Sequence, residues 1–88
     1  MKGINTLIRL AKRELDELRK KQAALELQKA KLEQAVHKLG AEMQSEMKLA
    51  AKTPEMGSFY GGFAKRIKEK QALLRAEIVA VEAQIAKA

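Results

Sequence analysis

Apolar residues recur along the first fifty positions at alternating spacings of four and three. The row is Ile4, Ile8, Ala11, Leu15, Leu18, Gln22, Leu25, Lys29, Leu32, Val36, Leu39, Met43, Glu46 and Ala50. Eleven of these fourteen are apolar, a sustained 3.5-residue seam of the kind two packed helices share. The pattern predicts a first helix over about 3–52, roughly 75 Å long at 1.5 Å per residue. A break follows at Thr53-Pro54-Glu55-Met56-Gly57-Ser58. Pro54 lacks the N–H that would continue a helix, and Ser58 is a good cap for a new one. A rival start uses Thr53 as the cap with Pro54 in the first helical position. Because Gly57 interrupts that option, the second helix is expected over about 59–87, after a turn at about 53–58.

The second segment carries its own seam. Tyr60, Ala64, Ile67, Gln71, Leu74, Ile78, Val81, Ile85 and Ala88 occupy its a and d positions, and eight of the nine are apolar. Gly61 and Gly62 stand near its start. They are read either as fraying near the turn or as room for another backbone to approach Tyr60 and Phe63. If the chain folds back antiparallel, partners sum to about 110. Met43 then meets Ile67, Leu39 meets Gln71, Val36 meets Leu74, Leu32 meets Ile78 and Leu25 meets Ile85. Every pair joins an a position to a d position, as an antiparallel coiled coil requires. The expected fold is therefore all-α: one two-helix antiparallel coiled-coil hairpin spanning 1–88.

The same arithmetic leaves 1–21 overhanging, because Ala88 reaches back only to Gln22. That stretch carries a full apolar stripe of Ile4, Leu7, Ile8, Ala11, Leu15 and Leu18. An uncovered stripe of this size marks an interaction surface. It needs another copy of the chain, a different protein, or a continuation of the second helix.

Composition agrees with a rod. Among 88 residues there are two Phe, one Tyr and no Trp, so the large side chains that fill a spherical core are scarce. There is no Cys, hence no disulfide framework and no thiolate metal site. No run approaches the roughly 20 apolar residues of a membrane span, and the opening residues are too polar for a signal peptide. The expected location is the cytoplasm. The net charge is +7, with basic clusters at Arg9, Lys12, Arg13, Arg19, Lys20 and Lys21 and at Lys65, Arg66, Lys68, Lys70 and Arg75. Such an excess favours acidic partners.

Nothing in the sequence assembles catalytic chemistry, and no cofactor is expected. His37 is the one histidine, without a second His or a Cys to complete a zinc set. The carboxylates alternate with Lys and Arg, as on the solvated face of a coiled coil. There is no P-loop. No helix-turn-helix, zinc-finger or RNP signature accompanies the basic residues, so specific nucleic-acid recognition is not expected. Charge-driven nucleic-acid binding and a purely structural, self-associating coiled coil are the alternatives to a protein-docking role.

The opening Gly3-Ile4-Asn5-Thr6-Leu7-Ile8-Arg9-Leu10-Ala11-Lys12-Arg13-Glu14-Leu15-Asp16-Glu17 resembles the start of the FliJ family of flagellar export proteins. Tyr60-Gly61-Gly62-Phe63, followed by Ile67 and Leu74, resembles the opening of that family's second helix. The resemblance implies a stalk-like coupling subunit of the type III export apparatus, flagellar or the equivalent in a virulence system. Its partners would be a hexameric export ATPase, an FlhA-like export gate protein and export chaperones, which it escorts. It implies a gate-binding cluster at Leu39, Met43, Phe63, Ile67 and Leu74. Where the family has aromatics on the first helix this chain has Glu42 and Glu46, with Met43 and Met47 one position along. On the analogy to a rotary stalk, Leu7, Arg9, Lys12 and Arg13 are the ring-facing candidates. Family members are longer, their second helix extending back past the start of the first. That extension would cover Ile4 to Leu18, so this chain is read as truncated or as a short relative.

Overall fold

A computed structural model describes residues 2–52 and 54–87, with the side chains of residues 2, 54 and 56–59 outside that description. Two helices account for all of the described residues: α1, Lys2–Lys52, and α2, Pro54–Lys87. The molecule measures 81 × 17 × 12 Å, with a radius of gyration of 22.2 Å. A compact globule of this length has a radius of gyration of about 12 Å. The chain is therefore a rod whose length is that of α1.

The helices run antiparallel. The Gln71 side-chain amide of α2 donates to the Val36 backbone carbonyl of α1 at 3.3 Å and lies close to Gly40. Nearer the chain ends, Gln84 and Lys87 share a groove with Leu18, Lys21 and Leu25. Pairings of 71 with 36–40 and of 84 with 25 reproduce the expected sum of about 110. Burial follows the expected seam. On α2, Ile67, Gln71 and Val81 are buried and Tyr60, Ala64, Leu74, Ile78 and Ile85 are half-buried. On α1, Leu25, Lys29, Leu32, Val36, Leu39, Met43, Glu46 and Ala50 are half-buried. Ala88, the last seam position, lies outside the described residues.

The second helix starts earlier than expected. It begins at Pro54 rather than at about 59, so Gly57 and Ser58 lie within it and Ser58 does not cap it. The physical reason is local. Proline at the first helical position gives up no hydrogen bond and arrives with its φ already near the helical value. Glu55 in the first turn places a negative charge at the positive end of the helix dipole. Gly57 costs about 1 kcal/mol in a helix, which is not enough to break one that continues for thirty residues. Among the described residues no glycine takes a positive φ. Thr53, the alternative cap, lies outside the described residues.

The polar seam positions are accommodated differently. Gln71 points across the interface and spends its amide on a main-chain oxygen. Lys29 runs along its own helix and ends 3.9 Å from Glu33. A lysine can bury its methylenes in the seam while its amine reaches water.

Candidate docking surfaces

From Gly3 to Ala24 every described side chain of α1 is exposed. The stripe is at its most open at Leu7, 67% exposed, with Ile4 at 53% and Leu18 at 55%. The end of α2 reaches back only as far as Leu18 and Lys21, which share a groove with Gln84 and Lys87, so residues 3–17 have no part of α2 alongside them. The α1 backbone satisfies its own hydrogen bonds, so the stretch can stay helical without a neighbour. Its apolar face nevertheless remains in water. Arg9, Lys12 and Arg13 are exposed on the same stretch, Lys12 at the edge of that face and Arg9 and Arg13 on the far side of the helix.

The residues implied as a gate-binding cluster occupy a different place. Leu39, Met43, Phe63 and Leu74 are half-buried and Ile67 is 4% exposed. Leu39, Met43, Ile67 and Leu74 all belong to the seam between the helices. They are spread along several turns of the rod rather than gathered at its tip. A partner reaching Ile67 has to part the helices; Phe63 is open enough to be touched from outside. Among the described residues nothing lies within 4 Å of where a Cβ of Gly61 or Gly62 would stand, so no described backbone approaches them closely.

One surface escaped the reading of the sequence. The side of α2 turned away from α1 carries Ala72, Leu73, Ala76, Val79, Ala80, Ala83 and Ala86, all exposed, with Leu73 at 68% and Val79 at 66%. The charged residues of this stretch, Arg75, Glu77 and Glu82, lie to either side of the row. Positions 72, 76, 79, 83 and 86 repeat the four-three spacing of a seam, so α2 carries two seams on nearly opposite faces. The signal was present in the sequence, hidden because the stronger seam beside it already accounted for the helix.

Among the described residues no group of three His, Cys, Asp or Glu side chains could hold a metal ion, and no helix is long and apolar enough to cross a membrane. His37 is exposed, beside Lys38 and Gln34 in a shallow surface groove. What the arrangement offers is helix surface: a wide apolar stripe on α1 and a narrow alanine-rich one on α2. No protein-family model matches the chain, and no significant match is found among curated proteins or solved structures.

Proposed function

We propose that this chain is a non-enzymatic docking rod, which acts by presenting uncovered helix faces to other proteins. The observation that carries the proposal is the α1 stripe Ile4, Leu7, Ile8, Leu15 and Leu18, each about half exposed or more, on an end of α1 that α2 touches only at Leu18. Contiguous apolar surface of this extent is a property of interaction sites. Among the described residues, the grooves beside His37 and beside Lys65 lie open to solvent, unlike the desolvated pocket in which catalytic groups are tuned.

In its narrower form the proposal is a stalk-like coupling subunit of a type III export apparatus. It would lie between the export ATPase ring and the FlhA-like gate and escort export chaperones at the cytoplasmic side of the membrane. The resemblance of residues 3–17 and 60–63 supports it, as does an 81 Å rod with an unpaired, basic-edged end. Leu7, Arg9, Lys12 and Arg13 on that end would face the ring. Phe63 would serve the gate, together with Leu39, Met43, Ile67 and Leu74 once the helices part.

The test is capture with the intact chain as bait at moderate and high salt, bound proteins being identified by mass spectrometry. Recovery of an export ATPase and a gate protein at high salt, lost in Phe63→Ala or Leu7→Asp, supports the stalk. Recovery of nucleic acid alone, released by salt as counterion competition requires, rejects it.

A further inference from the structure

The α1 stripe and the outer face of α2 are complementary to each other, and within one chain they cannot meet. Residues 72–86 of α2 lie level with about 24–38 of α1, some twenty residues, or roughly 30 Å, from residues 4–18. They also face away from α1. We infer that they meet between two copies: the chain forms a twofold dimer in which residues 4–18 of each copy lie parallel along residues 72–86 of the other.

Three features of the molecule carry this. The first is spacing. The α1 row 4, 8, 11, 15, 18 and the α2 row 72, 76, 79, 83, 86 keep a constant offset of 68, so each residue finds a partner without a slip. The second is size. Ile4 meets Ala72, Ile8 meets Ala76, Leu15 meets Ala83 and Leu18 meets Ala86. At the one place where α1 has a small residue, Ala11, α2 has its larger one, Val79. Alternation of large against small across facing positions is how packed helix layers fill space without voids. The third is flanking charge. In a parallel pair, residues beside the seam meet five positions on. Glu14 then faces Lys87, Arg19 faces Glu82 and Leu7 faces Ala80. Lys12 facing Arg75 is the one like-charge pair, at the exposed edge where repulsion is small.

The geometry closes. With the hairpin register given, the two α1 helices become antiparallel outer rails, residue n of one level with about 42 − n of the other. The two α2 segments lie in line between them, and over the described residues no two helices claim the same space. Each copy contributes the same two faces, so both seams form at once and the contact is isologous. The six exposed large residues that gain partners, Ile4, Leu7, Ile8, Leu15, Leu18 and Val79, each losing on the order of 100 Å² in both copies, bring the interface to roughly 1,200 Å², at the lower edge of the range of stable complexes. Leu7 lies in this contact, so self-pairing and docking of the same end into an ATPase ring exclude one another. The dimer itself does not depend on the export reading.

The test begins with sedimentation equilibrium of the intact chain. The expected mass is twice 9.8 kDa, and small-angle scattering should give a longest dimension of roughly 105 Å. A monomer at all concentrations overturns the inference. So does a dimer of roughly 130 Å, the length expected if the two α1 overhangs pair only with each other. Ala83→Glu, on a face that plays no part in the hairpin, should weaken dimerisation about 100-fold while helicity at high dilution is unchanged, because charge enters both seams. Unchanged association in this variant rejects the α2 face. The chain has no cysteine of its own, so register is read by mixing Ala11→Cys chains with Val79→Cys chains under oxidation. Cross-linking between unlike chains is expected; cross-linking only between Ala11→Cys chains overturns the parallel pairing.

Discussion

Gln71 is 8% exposed in a row of α2 positions that is otherwise apolar, and its amide reaches the Val36 carbonyl of the facing helix. That carbonyl sits inside α1 and has a second lone pair to offer, so the bond costs α1 nothing. A single neutral hydrogen bond contributes only about 0.5–1.5 kcal/mol net, much of it offset by taking the amide out of water. Polar residues at such positions fix register at a cost in stability. Gln71→Leu, of similar volume, should therefore raise the melting temperature by several degrees, read by circular dichroism at fixed concentration. A lower melting temperature would mean that the bond outweighs its desolvation. Gly40 is the counterpart. A Cβ there would stand 3.5 Å from the Gln71 amide nitrogen, an ordinary contact. Gly40→Ala should stabilise the hairpin by up to about 1 kcal/mol through helix propensity alone; a loss would show that Gln71 needs the open groove. The sequence showed Gln71 as an interruption of the seam. It could not show that the amide would reach across to a main-chain oxygen, because that depends on the stagger of the two helices.

At the scale of the element, the helices were legible because heptad spacing is a property of the residues alone. The seam from Leu25 to Ala50 on α1 and from Tyr60 to Ile85 on α2 is where the pattern put it. The start of α2 was misplaced because Gly57 was weighed as a breaker, when Pro54 and Glu55 had already begun the helix. Gly61 and Gly62 test the same balance. Both are helical and face open space, so Gly61→Ala and Gly62→Ala should each raise the melting temperature by an amount corresponding to up to about 1 kcal/mol. A variant that leaves the melt unchanged but reduces capture of a partner would instead place a backbone contact there. The seam itself is tested by Leu32→Asp. This change puts a carboxylate between the helices opposite Ile78, and it should separate them. Retention of the original melt by Leu32→Asp would disprove the register. The second seam on α2 shows the limit of pattern reading: periodicity reveals that a face is apolar but not which molecule covers it.

The whole molecule is a rod with a core one residue deep. Only Ile67, Gln71 and Val81 are buried among the described residues, and none of their side chains is fully enclosed. A single hairpin of this kind has little apolar area to set against the entropy of ordering 88 residues, so whatever covers its outer faces contributes a large share of its stability. That share is separable from the hairpin's own. Leu15 is 46% exposed on a stretch of α1 that α2 does not reach. Leu15→Asp therefore removes no contact with α2, and an exposed helix position tolerates aspartate at a cost of only about half a kcal/mol. For the unaltered chain the melting temperature should climb with concentration, since association stabilises the folded form by mass action. In Leu15→Asp the climb should vanish while the value at high dilution stays within a few degrees. Melts lowered equally at every concentration would show instead that Leu15 is held by its own chain, and that the overhanging end of α1 is not where this molecule meets another.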